Sequence, residues 1–309
     1  MKVLLAVSGG IDSMYMANKA SDLFPGASFA IAHCNFALRG EESDGDEAFV
    51  RGWCEEHGMA LYCTRFDTEA FAAEKHFSIE MAARELRYGW FRQICHAEGF
   101  DAVAVAHNAN DNAETLLLNM LRGTGTRGMR GMATESRLFG DESIRLLRPL
   151  LHNTREEIRS WMEKGGHEWR EDHTNADSEF KRNRIRNQVF PLLSTVNPSF
   201  ISTLNEDMDR LRQVDDIAED YLRDVLPSVL LEDGSISVTR LLKLRHWKYV
   251  LWRLIEESGM SQQTFDKLTT LLERYKDSRP GTVTLSGKEF QGHGCVVRAS
   301  GKRIEIIHR

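Results

Sequence analysis

The sequence predicts an α/β fold: a doubly wound, mainly parallel sheet, followed by a helical linker and a smaller α+β unit. Two observations carry this prediction. Strand-like apolar runs recur at 2–7, 28–33, 60–66 and 101–106, with helical patterns between them. This alternation is typical of βαβ units, whose parallel strands place ligand-binding residues beyond their carboxyl ends. After about residue 195 the alternation stops, which marks the end of the first domain.

The chain of 309 residues is long enough for about two domains. We predict a first, catalytic domain over 1–195, a helical linker over 196–234 and a small α+β unit over 235–309. One long amphipathic helix at 200–226 fills most of the linker. The small unit combines helices near 239–258 and 261–275 with short strands near 282–286, 288–291, 295–299 and 303–307.

Capping signals bound the helices of the first domain. The sequence predicts helices over 12–24 after a Gly-Gly turn, over 43–58 with Ser43 as the cap, and over 78–98 with Ser78 as the cap. A helix over 110–122 begins at Asn110 or Asp111, and a further helix begins near Thr154 with Glu156 and Glu157 in its first turn.

The composition limits which partners the protein can bind and in which cellular compartment it is expected. The net charge of −6 argues against indiscriminate coating of nucleic acid, although two local clusters, 122–130 and 180–187, are rich in arginine and contain no acid. No apolar run approaches the roughly 20 residues of a membrane span, and the N-terminus enters a strand directly, which is unlike a signal peptide. The five cysteines include no Cys-x-x-Cys pair, which favours reduced thiols and a cytoplasmic location.

The first strand runs into Ser8-Gly9-Gly10-Ile11-Asp12-Ser13 and then into a helical pattern. Two glycines let the backbone approach an anion, and the helix N-terminus offers unpaired N–H groups to it. The spacing differs from the Walker pattern, which requires a lysine. The segment instead matches the pyrophosphate loop of the N-type ATP pyrophosphatases, which cleave ATP between the α and β phosphates.

Two further clusters follow strands of the same predicted sheet, at 33–44 and 107–115. Asp111 and Glu114 share one helix face, and Mg²⁺ prefers one or two carboxylates plus phosphate oxygens, which Asp12 and Asp111 could supply. Each cluster also has a plain structural interpretation. Carboxylates at a helix start stabilise its dipole, and a histidine at a strand end, such as His33, is commonly structural.

Together these residues resemble the bacterial tRNA(Ile) lysidine synthetases, whose catalytic domain is adenine nucleotide alpha hydrolase-like. The resemblance starts at the Ser8–Ser13 loop and continues through the His-x-Asn-x-x-Leu-Arg-Gly-Glu-Glu-Ser segment that starts at His33. It then includes Ala83–Tyr88, Ala106–Thr115, Leu121–Gly125, Asn175–Asp177 and Arg182–Arg186.

The resemblance implies an ATP-dependent ligase. ATP and Mg²⁺ would adenylate the carbonyl oxygen on carbon 2 of the wobble cytidine in the CAU anticodon of tRNA(Ile), with release of pyrophosphate. The amine of free L-lysine would then attack carbon 2 and displace AMP to form lysidine. A tRNA thiolase of the same superfamily is the nearest alternative, an ammonia-using ligase is a second, and a non-catalytic nucleotide-sensing or RNA-binding module is a third. The oligomeric state stays open, with a homodimer among the options.

The resemblance also implies roles for single residues. ATP would be held by Ser8, Gly9, Gly10, Ile11, Asp12, Ser13 and His33, and Mg²⁺ by Asp12 and Asp111. The catalytic group would comprise Asp12, Arg87, His107, Asp111 and Glu114, of which His107 and Glu114 line the lysine pocket or assist proton transfer. The arginines expected at the tRNA or the reacting base are Arg84, Arg122, Arg148, Arg184 and Arg186.

The chain departs from the common family pattern at a few positions. Phe36 and Ala37 replace His-Gly, and Asn110 stands where an aspartate is more usual, so a paired Asp-Asp metal site would lack one charge. Many family members carry a further C-terminal RNA-binding domain, whereas this chain ends at Arg309 soon after the small unit. A natural short form and a truncated form are both consistent with that ending.

Overall fold

A computed structural model describes residues 1–171, 180–278, 285 and 287–308, without the side chains of residues 180, 181 and 308. The chain divides into two compact units, Met1–Gln213 and Val214–Arg309. The division falls inside one long helix, Phe200–Val229, and the boundaries at 195 and 234 stay predictions. The family segment Asn175–Asp177 and most of the predicted strand at 282–286 lie outside the described residues.

In the first unit, the described strands form a six-stranded sheet in the order β3-β2-β1-β4-β6-β5. The pairs β1–β2, β2–β3, β1–β4 and β4–β6 are parallel, and β5–β6 is antiparallel. This confirms the predicted doubly wound, mainly parallel fold class. The strands are β1 (Lys2–Ala6), β2 (Ser28–Asn35), β3 (Leu61–Arg65), β4 (Ala102–Ala104), β5 (Glu135–Leu138) and β6 (Asp141–Leu147).

The β5–β6 hairpin was not predicted, because its strands have little apolar periodicity. Arg145 of β6 forms an ion pair with Glu135 of β5 across the hairpin, with 2.7 Å between Nη2 and Oε2. Only the tertiary structure shows that β6 completes the parallel sheet beside β4.

Helices cover both faces of this sheet. They are α1 (Ile11–Asn18), α2 (Ala20–Leu23), α3 (Glu41–His57), α4 (Thr68–Lys75), α5 (Ile79–Glu98), α6 (Ala109–Arg122), α7 (Thr126–Met129), α8 (Arg155–Gly165), α9 (Phe180–Arg184) and α10 (Phe190–Val196). A π-helical turn, Ile185–Val189, joins α9 to α10. Such turns are rare and occur frequently at functional sites.

The predicted helix caps are confirmed at two positions and wrong at two. Ser78 and Thr154 cap α5 and α8 through their side-chain oxygens. The helix α3 begins after Gly40, two residues before Ser43, which is a buried residue inside the helix. The cap of α6 is Asn108 rather than Asn110 or Asp111, because its side chain accepts from two backbone N–H groups of the first turn.

The central strand β1 is buried on both faces, as expected for a parallel sheet covered by helices. Val3 and Leu5 join the core beneath α1, α3 and α8, and Leu4 joins the core beneath α5. All three side chains are fully buried. The strand is therefore held rigidly at the point where the loop 8–13 leaves it.

The second unit begins within α11 (Phe200–Val229) and is α+β, with helices packed around an antiparallel sheet. Its described strands pair in the order β7-β10-β9-β8. They are β7 (Ile236–Ser237), β8 (Lys288–Gln291), β9 (Cys295–Ser300) and β10 (Arg303–His308), and the helices are α12 (Val238–Leu241), α13 (Trp247–Ile255), a 3₁₀ turn (Glu256–Ser258) and α14 (Gln262–Asp277). In the described ranges of both units, no helix has the length and apolar character to cross a membrane.

The α8 cap gives a test of the fold. Thr154 Oγ1 accepts from the Glu157 N–H at 3.2 Å, and Glu157 Oε2 accepts from the Thr154 N–H at 2.8 Å. We expect Thr154→Ala to lower the free energy of unfolding by about 1 kcal/mol, because it leaves a helix N–H without a partner. Thr154→Ser keeps the hydroxyl and should stay close to the parent chain in urea unfolding. Equal stabilities of the two variants would contradict the capping role.

Candidate active site

The loop after β1 closes on itself through its two serines. Ser13 Oγ donates to the Gly10 carbonyl at 2.8 Å and accepts from the Ser8 N–H at 3.1 Å. Gly9 has φ +94°, a conformation that favours glycine. Gly10 is the N-cap of α1 and has no side-chain oxygen, so the N–H groups of the first turn remain available to an anion.

The site lies where the strand order of the sheet reverses. The strand β1 has β2 on one side and β4 on the other, so the loop after β1 and the start of α6 after β4 flank one crevice. Ligands of open α/β sheets bind at this kind of switch point.

Asn108 connects α6 to the loop. Its Oδ1 accepts from the N–H groups of Asn110 and Asp111 at 2.9 and 3.0 Å, and Asp111 Oδ2 accepts from the Asn108 N–H at 3.1 Å. The amide nitrogen of the same side chain donates to Asp12 Oδ1 at 3.0 Å. One buried side chain therefore holds Asp12 and Asp111 in the same site.

Arg186 pairs with both predicted carboxylates of α6. Its Nε donates to Glu114 Oε1 at 2.7 Å and its Nη2 to Asp111 Oδ1 at 3.2 Å. Glu114 is only 1% exposed, and burial raises its pKa while Arg186 opposes that rise. The arginine lies in the π-helical turn. The carboxylate pair therefore already has a cationic partner within the chain.

The charge on Asp12 is disfavoured by its surroundings. Burial raises the pKa of Asp12, and the nearby Asp111 raises it further, while Asn108, Arg155 and Arg186 act in the opposite direction. A carboxylate whose ionised form is disfavoured by a neighbouring carboxylate is a favourable place for a cation.

His107 lies beside several arginines. Its Nδ1 is buried and has no hydrogen-bond partner among the described atoms. Burial, together with Arg148, Arg87 and Arg182, lowers the pKa of His107 to about 4, against the attraction of Asp111. The imidazole is therefore neutral near pH 7 and can accept a hydrogen bond.

Arg148, Arg84 and Arg87 provide the cationic side of this region. Arg148 is partly buried, and Nη1 donates to the Ala133 carbonyl and to Ser136 Oγ, while its Nε is buried without a partner among the described atoms. Arg87 stacks over the Phe36 ring at 5.1 Å, and the exposed Arg84 lies 4.8 Å from the Tyr88 ring. The site thus has an acidic side at Asp111 and Glu114 and a basic side at these arginines.

A cavity of about 310 Å³ opens at the loop. Predicted residues that line it are Ser8, Gly10, Ile11, Asp12, Ser13, Asp111 and Arg186. Sequence reasoning missed a second group of lining residues, which comes from α8 and the segment after it: Arg155, Arg159, Trp169, Arg170 and Glu171. The Thr154 cap was the one signal near them, and it predicts a helix rather than a site.

Other predicted site residues lie outside this lining. His33 is buried, its Nδ1–H donates to the Val7 carbonyl at 2.9 Å, and burial lowers its pKa. It therefore supports the end of β1 just before the loop. Arg122 is exposed in the last turn of α6, and Arg184 is exposed at the end of α9.

Two departures from the family pattern have structural consequences. Asn110 Oδ1 accepts from the Arg155 N–H at 3.0 Å, which ties the start of α6 to the start of α8. Ala37 has φ +54°, a strained conformation that the more common glycine adopts freely. Its N–H donates to Asn35 Oδ1 at 3.0 Å, which helps to hold this turn.

Asp12 and Asp111 suit a magnesium ion that arrives on phosphates better than a metal held by protein alone. Among the described residues, no group of three or more histidine, cysteine, aspartate or glutamate side chains is placed to hold a metal ion. Mg²⁺ commonly uses one or two carboxylates together with substrate phosphates and water. Asp111 raises the pKa of Asp12, and a bound cation would offset this effect.

The raised pKa of Asp12 predicts that its ionised carboxylate lowers the free energy of unfolding at neutral pH. We expect Asp12→Asn to be more stable than the parent chain at pH 7, because ionised Asp12 is disfavoured in the folded state and Asn can still accept from Asn108. The difference should shrink as the pH falls toward 3.8, the ordinary value, and should vanish below it, where both folded and unfolded chains carry the protonated acid. Urea unfolding between pH 4 and pH 7 measures it.

The control for this change is Glu55→Gln, which removes a carboxylate from the exposed surface of α3. It should leave the pH dependence unchanged. A loss of stability in Asp12→Asn at pH 7 would contradict the electrostatic account.

Comparisons with known proteins agree with this arrangement. The PP-loop domain family matches residues 1–193. A tRNA(Ile)-lysidine synthase of Parabacteroides distasonis is 37% identical over 88% of this chain and 60% of its own length. One of Chlorobaculum tepidum is 38% identical over 84% of this chain and 78% of its own length. The chain thus spans about 60% of the first of these relatives.

A solved U34-tRNA thiolase of Methanococcus maripaludis, described with its [4Fe-4S] cluster, has a TM-score of 0.56 at 19% identity. The match covers 68% of this chain and 72% of the thiolase, which shows a shared fold. The PP-loop family matches residues 1–193 of this chain, and the chain covers 78% of the length of the Chlorobaculum relative at 38% identity. The chain therefore belongs to the tRNA(Ile)-lysidine synthase family of PP-loop proteins.

Proposed function

We propose that this protein is an ATP-dependent tRNA(Ile)-lysidine synthetase. It joins free L-lysine to carbon 2 of the wobble cytidine in a CAU anticodon, through an adenylated tRNA, with release of pyrophosphate and AMP. One observation carries the proposal: two carboxylates, Asp111 and Glu114, lie beside a phosphate-binding loop. Both carboxylates accept hydrogen bonds from the guanidinium of Arg186. Such a pair suits an amine nucleophile beside a nucleotide.

The first step needs a site for ATP. The cavity at the loop is lined by Ser8, Ser13, Arg155 and Arg159, whose hydroxyl and guanidinium groups suit the negative charge that develops on the α-phosphate and pyrophosphate. Asp12 and Asp111 would hold Mg²⁺, which supplies charge neutralisation on the phosphates. The cytosine oxygen becomes part of an AMP leaving group in this step.

The second step needs free lysine in an orientation that allows attack. The amine has an unperturbed pKa of about 10.4 and must lose a proton before it attacks. Asp111 and Glu114 can bind the ammonium form, and Glu114, whose pKa is raised by burial, can accept the proton. Neutral His107 can accept a hydrogen bond from the amine. The basic side, with Arg87 and Arg148, complements the lysine carboxylate.

The acceptor is proposed to be tRNA because arginines gather around the site. Arg122 and Arg184 are exposed. Arg87 adds charge near His107, and Arg84 adds charge near Arg148. Phosphate contacts of this kind make binding salt-sensitive, and a single-stranded loop base can leave its stack to reach an enzyme site. We expect the reaction to occur in the cytoplasm, because the cysteine pattern favours reduced thiols.

Thiolase chemistry is less consistent with this chain than attack by nitrogen. A sulfur-transferring cysteine needs an accessible thiolate. Burial raises the pKa of Cys34, the cysteine nearest the site in sequence, to about 12. Cys54 and Cys95 are buried as well, and burial raises the pKa of each to about 11.

Incubation with ATP, labelled lysine and a CAU-anticodon tRNA tests the proposal. We expect lysine-dependent AMP release and label in the tRNA. Asp111→Ala should abolish both, because it removes a carboxylate of the site and the N3 partner of the α6 cap. AMP release that needs a sulfur donor instead of lysine, or lysidine formation by Asp111→Ala at the parental rate, would overturn the assignment.

Glu114→Gln separates the two steps. The substitution keeps an oxygen that can accept from Arg186 but removes the charge that attracts the lysine amine. We expect the KM for lysine to rise about ten-fold or more, in line with about 1.5 kcal/mol for one charged hydrogen bond. Pyrophosphate release in the presence of tRNA and ATP should persist, which also shows that the variant folds.

The matched control is again Glu55→Gln on exposed α3, which should leave both steps unchanged. An unchanged KM for lysine in Glu114→Gln, measured with intact adenylation, would remove Glu114 from the lysine site.

A further inference from the structure

The segment 169–171, here termed the strap, lies against the phosphate loop. The Arg170 N–H donates to the Gly9 carbonyl at 2.9 Å. A Cβ placed on Gly9 would lie 3.7 Å from Arg170 Cγ. The strap residues also line the 310 Å³ cavity together with Ser8 and Asp12.

This backbone hydrogen bond sets the direction of another N–H. The Gly9 carbonyl and the Gly10 N–H belong to one trans peptide, and its planarity makes the two groups point in opposite directions. Among the described residues, the Gly10 N–H makes one long hydrogen bond, 3.3 Å, to Ser8 Oγ. By holding the Gly9 carbonyl on one side, the strap therefore orients a donor of the loop on the other side.

A charged network holds the strap in place. Arg170 Nε donates to Asp46 Oδ1 at 3.0 Å, and Arg39 Nη2 donates to Asp46 Oδ2 at 2.8 Å. The Asp46 side chain is 14% exposed, whereas those of Arg39 and Arg170 are 31% and 43% exposed, so solvent screens these pairs in part. Ser43 Oγ in turn accepts from the Arg39 N–H at 3.2 Å.

The close approach of α3 to the strap depends on a glycine. A Cβ on Gly45 would lie 3.0 Å from Arg170 Nη2 and 3.5 Å from Arg170 Cζ. Gly52, in the same helix, has nothing within 4 Å of its Cβ position. The segment 39–46 therefore supports the strap. It resembles the family pattern but has no part in the chemistry above.

We propose that Arg39, Asp46 and Arg170 are positioning residues for the nucleotide. They hold the strap on the phosphate loop and thereby keep the loop in the conformation that binds the phosphates of a nucleoside triphosphate. The inference rests on the proposed use of ATP, but it does not depend on lysine or tRNA being the other substrates. Without the network, the strap loses its charge-assisted hydrogen bond to Asp46 and keeps the backbone hydrogen bond to Gly9 and the ion pair of Glu171 with Arg159.

A pair of glycine variants in α3 tests this proposal. In Gly45→Val the added Cβ would lie 3.0 Å from Arg170 Nη2, and we expect its two methyl groups to push the guanidinium away from Asp46. Gly52→Val makes the same change in the same helix, where nothing lies within 4 Å of the Cβ position. We expect the Kd for ATP, measured by calorimetry on the full chain, to rise about five-fold or more in Gly45→Val. In Gly52→Val it should equal that of the parent chain.

Asp46→Asn provides a second variant that adds no bulk. It removes the charge between the two arginines, and we expect it to weaken ATP binding in the same direction. In the tRNA assay, both variants should raise the KM for ATP and leave the KM for lysine unchanged. A purely structural role would raise both KM values or lower kcat alone.

Two results would overturn the inference: equal ATP affinities of Gly45→Val and Gly52→Val, or a parallel loss of lysine and ATP affinity in Asp46→Asn. Failure of the proposed function has a different signature. In that case the parent chain would make no lysidine, while its ATP affinity would still respond to Gly45→Val and not to Gly52→Val.

Discussion

The hydrogen bonds of Asn108 are the constraint on which the site depends. One side of this buried amide caps α6, and the other side donates to Asp12. The loop after β1 and the helix after β4 are far apart in sequence, and the sheet brings them to one edge. Asn108 turns that proximity into a defined distance between two carboxylates. Because an amide is both donor and acceptor, a single side chain can perform both tasks without adding charge.

Acidic and basic groups both surround the site, but their burial makes their charged forms unfavourable. Burial raises the pKa of Asp12 and of Glu114, and His107 remains uncharged among arginines. Arg186 compensates the acidic side from a π-helical turn, a type of element that occurs frequently at functional sites. Unfavourable electrostatics of this kind are common at sites that bind a charged ligand, because the charge of the ligand offsets the unfavourable charges of the empty site.

The network around Asp46 adds support behind the phosphate loop. Arg39 and Arg170 both bind its carboxylate, and the backbone of Arg170 reaches the loop itself. A loop of glycines has little conformational restraint of its own. Its geometry therefore depends on neighbours that are themselves held by charge and by close packing.

The sequence by itself determined the alternating α/β architecture, the phosphate loop, the Ser78 and Thr154 caps and the α6 cluster, because local periodicity and side-chain chemistry carry these features. It could not place the β5–β6 hairpin, whose polar strands are defined by their pairing, or choose Asn108 over Asn110 as the cap of α6. It also missed Arg155, Trp169 and Arg170, which have no motif and enter the cavity only through the packing of α8 and the strap. The role of Asp46 was decided by tertiary structure for the same reason: an ion pair between residues 46 and 170 depends on distance in space, which local sequence does not encode.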